Sequence, residues 1–534
     1  MTAQPIERAA LNSADAGRNA GIVLAATFAS RILGYVRDML IAWSFGAGLY
    51  ADAFIVAFRL PNLFRRLVGE GALGMAFIPV FHAYARRRGR EAAVDLAVVA
   101  LHRLTLLLSV VVIVSLFSAP LMVRVLAPGF AASQELVALT VGLIRIMMPY
   151  LLLVGLVALS MGILNAMGHF TAPALAPAVL NVAMIAAIGV GVWVTPSASL
   201  QVGILAAGVL AGGFLQVMLQ VPALQRKGVA LWPPRRLEAG VFKQFGRTAL
   251  PVLLGGATYQ VNVLLGTLLA SFLAAGSVSY LFYADRLVQF PLGLFAVSAV
   301  TVMMPDLSRQ AAARQLTVLK ETLRQALRLV GFVIVPAMVG LIVLREPIVS
   351  ILFERGAFSS DSARLTADAL LWYGVGLWAY AAVRLLLAVF YALQDAFQPL
   401  MAAVAGVALN LAAGAGLMPF MGHSGIALAA SLAAILNVVL LVILLRRRIG
   451  PLGLRSMTPA AARIGGCTCV MGLGVHGLQA LTAPAVGSGT ALAVGHLAVC
   501  IAAGLGIYGG AAYLCRSPEL RICWRMVFRG KVMP

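Results

Sequence analysis

Apolar windows about twenty residues long follow one another along this chain almost without interruption, and that feature dictates the solvent it folds in. A bilayer core about 30 Å thick needs roughly 20 apolar residues in a helix. Lipid offers no hydrogen bonds, so a spanning segment must satisfy its backbone groups within itself. Windows of this kind read at 21–45, 51–80, 96–119, 136–164, 174–194, 200–224, 247–272, 277–304, 326–353, 364–393, 398–418, 423–445, 460–482 and 490–514. They predict an all-α polytopic membrane protein with about fourteen transmembrane helices. Composition agrees, with 62% apolar and 11% charged residues against roughly 45–50% and about 25% in soluble domains.

The 40 Lys and Arg against 18 Asp and Glu give a net charge of +22. In a soluble chain that excess would point to nucleic acid. Here the basic residues lie in short segments between spans: Arg86–Arg88 with Arg90, Arg226-Lys227 with Arg235-Arg236, Arg309 to Arg324, and Arg446–Arg448 with Arg455. The alternate loops 195–199, 273–276 and 483–489 carry almost none, which is the positive-inside pattern. It predicts cytoplasmic N- and C-termini and no nucleic-acid partner. Residues 1–20 lack the apolar core of a signal peptide. The five cysteines (Cys467, Cys469, Cys500, Cys515, Cys523) suggest no disulfide framework, and Cys467 and Cys469 read as small hydrophobes. No metal site or cofactor is implied. The six histidines, without partners at ligand spacing, read as packing or interfacial residues, and Trp232, Trp372 and Trp378 as interfacial anchors.

A repeat is legible at an offset of about 226 residues. Pro79 in AFIPVF matches Pro305 in VMMPDL, MVRVL (122–126) matches IVSIL (348–352), and AMGHFTAP (166–173) matches ALQDAFQP (392–399). The offset carries the second span onto the eighth, so the halves read as parallel repeats. The expected organisation is a cytoplasmic segment 1–20, a first six-helix lobe 21–225, a cytoplasmic linker 226–246, a second six-helix lobe 247–446, two additional helices in 447–514 and a cytoplasmic tail 515–534.

The residues that most invite a function are the charges inside spans. Arg31, Arg37 and Asp38 lie in the first, and Asp52, Arg59, Arg65, Arg66 and Glu70 in the second. Arg103 and Arg145 follow in the third and fourth, Asp285 and Arg286 in the eighth, and Arg384 in the tenth. At about 1.5 Å per residue, Arg59 and Arg286 sit roughly 13 Å below the outer surface. An arginine facing lipid at such a depth costs about 2.5–3.5 kcal/mol even on lenient scales. Partners or a watery cavity between the halves relieve that cost. Asp52, Arg59 and Arg66 are spaced seven apart, as are Arg31 and Asp38, which puts each set on one helix face. Pro61 is expected to kink the second span.

For Asp38 and Glu70 an internal ion pair explains the charge as well as a binding role does, and Arg66 with Glu70 is a plain i, i+4 pair. The set as a whole has about two arginines per acid, so internal pairing cannot absorb it. Uncompensated positive charge in a low-dielectric cleft attracts anions, and the guanidinium fork suits phosphate. The expected substrate is anionic, with phosphate or pyrophosphate leading.

The stretch SRILGYVRDMLIAWSFGAGLYADAFIVAFRLPNLFRRLVGEGALGMAFIPVF (30–81) resembles the lipid II flippases of the MurJ (MviN) family, as does AAGSVSYLFYADRLVQFPLG (274–293). The resemblance extends over nearly the whole chain, and RLPNLFRR and YADRL carry it. It implies the MOP exporter fold, two six-helix lobes in a V around a cationic cavity, with the last two helices forming an apolar groove for a polyprenyl tail. It also implies that Arg31, Arg37, Arg65 and Arg286, with Asp38 and Asp52, bind the pyrophosphate and head group of lipid II. Arg59 and Arg66 join them on charge alone, with Glu70, Arg145, Asp285 and Arg384 as a second tier. The setting it implies is the bacterial inner membrane, with membrane lipids and cell-wall synthesis proteins as candidate partners. Some members are taken to bind sodium with carboxylates on the seventh and eleventh helices. Asp395 is present, but no Asp or Glu lies between Gly246 and Phe272, so that ligand set is incomplete.

These readings predict a transporter working by alternating access. Another polyprenyl-diphosphate-linked glycan would suit the same cavity and groove. A cation or drug antiporter would be expected to carry an acidic cavity instead. An enzyme would need a carboxylate base in an outer loop, and Glu346, Glu354 and Asp361 in loop 345–363 are the clustered candidates. Their neighbours Arg345, Arg355 and Arg364 predict a solvated charged loop.

Overall fold

A computed structural model describes residues 4–65, 72–229, 260–482 and 490–529, with side chains over 21–65, 77–229, 260–482 and 491–525. Arg66, Glu70, Trp232, Arg235, Arg236, the start of the seventh span and the loop 483–489 lie outside the described residues, as does most of the linker 226–246. The chain divides into two compact units, Met1–Gln260 and Val261–Pro534. Every regular element among the described residues is helical. The first unit holds α1 (Gln4–Phe45), α2 (Leu49–Phe64), α3 (Ala72–Arg88), α4 (Arg90–Leu126), α5 (Gln134–Met147), α6 (Tyr150–Ala166), α7 (Thr171–Val194) and α8 (Ala198–Arg226). The second opens with α9 (Gln260–Ala270) and continues with α10 (Ser277–Pro291), α11 (Val297–Ala312), α12 (Leu316–Val343), α13 (Arg345–Phe353), α14 (Ser360–Val375), α15 (Leu377–Ala392), α16 (Phe397–Met421) and α17 (His423–Ile449). After these come α18 (Thr458–Thr482), α19 (Thr490–Leu514) and α20 (Pro518–Arg529).

Among the described residues ten helices are long and apolar enough to cross a membrane, or eleven if α14 and α15, bent by 43°, make one span. The expected fourteen is reached only by adding α1, the α2–α3 pair and α9. Of these, α2 and α3 are 16 and 17 residues long, and α1 carries Arg31, Arg37 and Asp38 in its second half.

Several helices outrun their hydropathy windows. The 96–119 window lies inside α4, which runs from Arg90 to Leu126, and the 326–353 window becomes α12 followed by the separate α13. A hydropathy window detects the part that matches lipid, whereas a helix continues into polar surroundings as long as its backbone ladder holds. The segment 345–363, read as a loop, therefore begins with the nine-residue α13.

The 364–393 window breaks at Gly376, where α17 comes very close. A Cβ there would meet Ser431 Oγ at 2.5 Å and Ser431 Cα at 2.9 Å. Ser431 Oγ also donates to the Trp372 carbonyl at 2.6 Å, the group that the Gly376 N–H would engage in an unbroken helix. In the 277–304 span Pro291 lacks an N–H for the ladder, and a π segment at Leu292–Ala296 follows it before α11 continues. Pro61 is accommodated within α2, which runs on to Phe64.

Helix starts recur at the offset of the sequence anchors. Arg90 and Leu316, Gln134 and Ser360, and Thr171 and Phe397 open corresponding helices 226 residues apart. Packing recurs with them: α2 rests on α5 as α10 rests on α14, α3 on α6 as α11 on α15, and α7 on α8 as α16 on α17. The turns after α6 and α15 use the left-handed region at matching positions, Gly168 (φ 74°) and Gln394 (φ 57°). The α7–α8 contact is backbone-close, since a Cβ on Gly208 would lie 2.3 Å from Ala187 Cβ.

The last helices dock on α12. Phe332 of α12, Ile464, Cys467 and Met471 of α18, and Cys500 and Tyr508 of α19 form one buried cluster. The Tyr508 hydroxyl donates to the Phe332 carbonyl at 2.7 Å. Beyond α19, Glu519 is buried (1% exposed) and accepts from Arg328 Nε and Nη2 at 2.9 and 2.5 Å and from Ser517 Oγ at 2.7 Å. Burial alone pushes this carboxyl up. Donation from Ser517 and its own backbone N–H, with the Arg328 guanidinium, outweighs burial and holds it below the usual value. A depressed carboxyl stabilises the fold fully above the unfolded value and loses that contribution as pH falls through the folded one. Glu519→Gln is expected to cost about 1–3 kcal/mol near neutrality. Melting of wild type and variant in detergent should converge as pH drops below about 5; a gap unchanged at acid pH would exclude this linkage.

Candidate functional site

In the first unit the charges of α1 and α2 gather where α7 and α6 pack on them. Arg37 and Asp38 are both buried, at 7% and 2% exposure. Arg37 Nε and Nη2 donate to Asp38 Oδ1 at 2.9 and 2.7 Å, and Arg37 Nη1 donates to Asn181 Oδ1 of α7 at 2.9 Å. Asn181 Nδ2 in turn donates to the Ser30 carbonyl at 2.9 Å. The amide thus ties α1 to α7 at two points, one of them a charged hydrogen bond. Asp38 thus has the adjacent Arg37 as an ion-pair partner.

Arg31, one turn and a half earlier, is exposed and has no hydrogen-bond or ion-pair partner among the described residues. Asp52 is buried and Arg59 half-buried on α2. Arg65 follows α2 and donates through Nε to Asn62 Oδ1 at 2.9 Å. Arg65 and Arg37 both lie within electrostatic reach of Tyr150 at the start of α6. Tyr150 is fully buried, its ring against Gly213 of α8, and its hydroxyl has no hydrogen-bond partner among the described residues. Arg37 and Arg65, from α1 and from the end of α2, thus both act on one buried point at the start of α6. Arg145 stands apart: it is exposed, and its Nε donates to the Leu116 carbonyl of α4 at 3.4 Å.

In the second unit Arg286 of α10 is half-buried, and its guanidinium carbon lies 4.9 Å from the centre of the Phe282 ring one turn earlier. Such a cation–π contact orients the fork while keeping its charge. Asp285 accepts from Gln289 Nε2 at 3.2 Å, and Gln289 Oε1 accepts from Arg384 Nη2 of α15 at 3.4 Å. These three side chains form a relay across the α10–α15 boundary.

Asp395 is occupied as a helix cap. Its Oδ1 accepts from the N–H groups of Phe397 and Gln398 at 3.0 and 3.1 Å, and Oδ2 pairs with Arg448. The carboxylates weighed for an enzyme are likewise bound to neighbours: Glu346 with Arg345, Asp361 with Arg364, and Glu354 with the Ser350 hydroxyl.

Sequence reasoning missed Asn181, Tyr150 and Gln289. A lone amide inside an otherwise apolar α7 was the available signal for Asn181, because a polar group in hydrocarbon needs a partner. Nothing in the sequence distinguished Tyr150 from the other tyrosines.

A family model described as lipid II flippase MurJ matches residues 41–496. The chain belongs to the MurJ family. A relative from Rhizobium tropici described as a probable lipid II flippase MurJ is 33% identical over 512 residues, covering 95% of this chain and 96% of the relative. A solved structure described as lipid II flippase MurJ in an inward closed conformation superposes with a TM-score of 0.76 at 27% identity, covering 92% of this chain and 98% of that one. An inward-facing multidrug resistance MATE family transporter of the MOP superfamily shares the fold, with a TM-score of 0.67 at 18% identity over 79% of this chain and 95% of its own. The expected MOP fold and multi-pass membrane character are thereby established for this MurJ-family chain.

Proposed function

We propose that this chain is a lipid II flippase of the bacterial inner membrane, with both termini cytoplasmic, carrying the precursor from the inner to the outer leaflet by alternating access. It is a transporter in this reading, and no residue acts on a covalent bond. Membership of the MurJ family carries the substrate. The arginine excess within the spans supplies the chemistry, because diphosphate is what several guanidinium forks in low dielectric select. Arg31, Arg59, Arg65 and Arg286 hold the diphosphate, and Arg66 shares that role on charge alone. Arg37, already bonded to Asp38 and Asn181, adds its charge and fixes α1 against α7. Asp52 and Glu70 serve the head group in this reading. Asp285, Arg384 and Arg145 sit at the periphery. The polyprenyl tail remains in lipid along α18 and α19, since transferring it into a polar cavity would forfeit its burial.

An inside-negative potential is worth about 2.3 kcal/mol per charge per 100 mV, and it favours outward movement of an anion and inward return of an emptied cationic site. Lipid II translocation in proteoliposomes with an imposed potential tests this. Flipping that accelerates with an inside-negative potential is expected. A well-folded protein that moves a different polyprenyl-diphosphate glycan and leaves lipid II untouched would replace the substrate, and a rate indifferent to potential would remove the coupling.

A further inference from the structure

The tail 515–534 contains Arg516, Arg521, Arg525, Arg529 and Lys531 against a single acid, Glu519. That acid is consumed by Arg328 of α12, so the surplus of the tail is wholly cationic. The tail also has a fixed placement, because α20 begins four residues after α19 ends and rests on α12 and α19. Leu520 and Cys523 pack on the cluster that unites α12, α18 and α19. With Glu519 they define the covered face of the helix. Arg521, Arg525 and Trp524 lie on the uncovered arc, with Trp524 63% exposed and Ile522 at its margin.

Two arginines one turn apart beside an exposed tryptophan, on a helix held at the end of a span, are the residues that settle among phospholipid headgroups. A juxtamembrane group of about four to eight basic residues is attracted by anionic lipid. We propose that α20 is an interfacial helix that binds anionic phospholipid headgroups through Arg521 and Arg525, with Trp524 inserted beside them. The Glu519–Arg328 pair and the Leu520–Cys523 face hold it in place. This inference rests on the placement of α20 and holds whatever the chain transports.

The test uses the full chain in nanodiscs containing phosphatidylglycerol or phosphatidylcholine, one of the two brominated near the headgroup end of its acyl chains. The Trp524 signal is the difference between wild type and Trp524→Phe. Quenching by brominated phosphatidylglycerol is expected to exceed quenching by brominated phosphatidylcholine. The preference should fall about five-fold for each charge removed in Arg521→Gln and Arg525→Gln, and should shrink in high salt without any substitution. Unchanged melting of both variants verifies that the Glu519 latch is intact. Equal quenching by the two lipids would reduce the surface to apolar insertion and overturn the proposal. Absence of quenching by either would place the helix face in water or on a protein partner, and would overturn it too.

Discussion

Arg286→Ala is expected to lower lipid II translocation by about 30-fold or more, because truncating one member of a desolvated, hydrogen-bonded charge pair costs roughly 2–5 kcal/mol. Arg286→Lys should recover only part of the rate, since an ammonium offers a point charge where the fork offers two parallel donors. The guanidinium also stacks on Phe282, which a lysine reproduces poorly. The measurement is flipping per correctly inserted protein in proteoliposomes, with melting in detergent as the folding control. Wild-type rates from Arg286→Ala would remove the cationic site from the mechanism.

Asp38→Ala is expected to act on the fold before it acts on transport. It strands the Arg37 guanidinium, buried at 7% exposure, and a buried charge deprived of its partner typically costs about 3–5 kcal/mol. Asn181 remains as an acceptor and keeps the loss toward the lower end. Replacing both members, Arg37→Met with Asp38→Ala, should restore much of the melting temperature while leaving transport impaired, because the pair as a unit is replaceable by apolar packing. If the single variant melts with the wild type, Arg37 has another counter-charge and the pair is not the anchor of α1.

Reading the sequence succeeded where one physical quantity dominates. The hydrophobic windows located α7, α8, α16 and α17 to within a few residues, because for these helices the apolar stretch and the hydrogen-bonded stretch nearly coincide. It failed where the determinant is a contact. The break at Gly376 follows from the approach of Ser431 in α17, and among 53 glycines nothing local marks that one. The same applies to the charges. Spacing by seven placed Arg31 with Asp38 on one helix face, whereas Asp38 takes its ion pair from the adjacent Arg37. Helical periodicity gives directions from the axis, but a long arginine side chain can bend back to a neighbour at i+1. Asn181, which completes that arrangement, lies 144 residues away.

That sequence separation also has a meaning in time. The ribosome delivers about 5–20 residues per second, so α1 waits roughly 7–30 s after Arg37 emerges before Asn181 exists to receive it. During that interval an unshielded arginine would oppose entry of the first helix into the bilayer. Asp38 is available one residue later, and it neutralises Arg37 within the nascent segment itself. The ion pair of the finished protein therefore also acts early, lowering the charge that the 21–45 segment carries into the membrane from +2 to +1 until α7 arrives to claim Arg37.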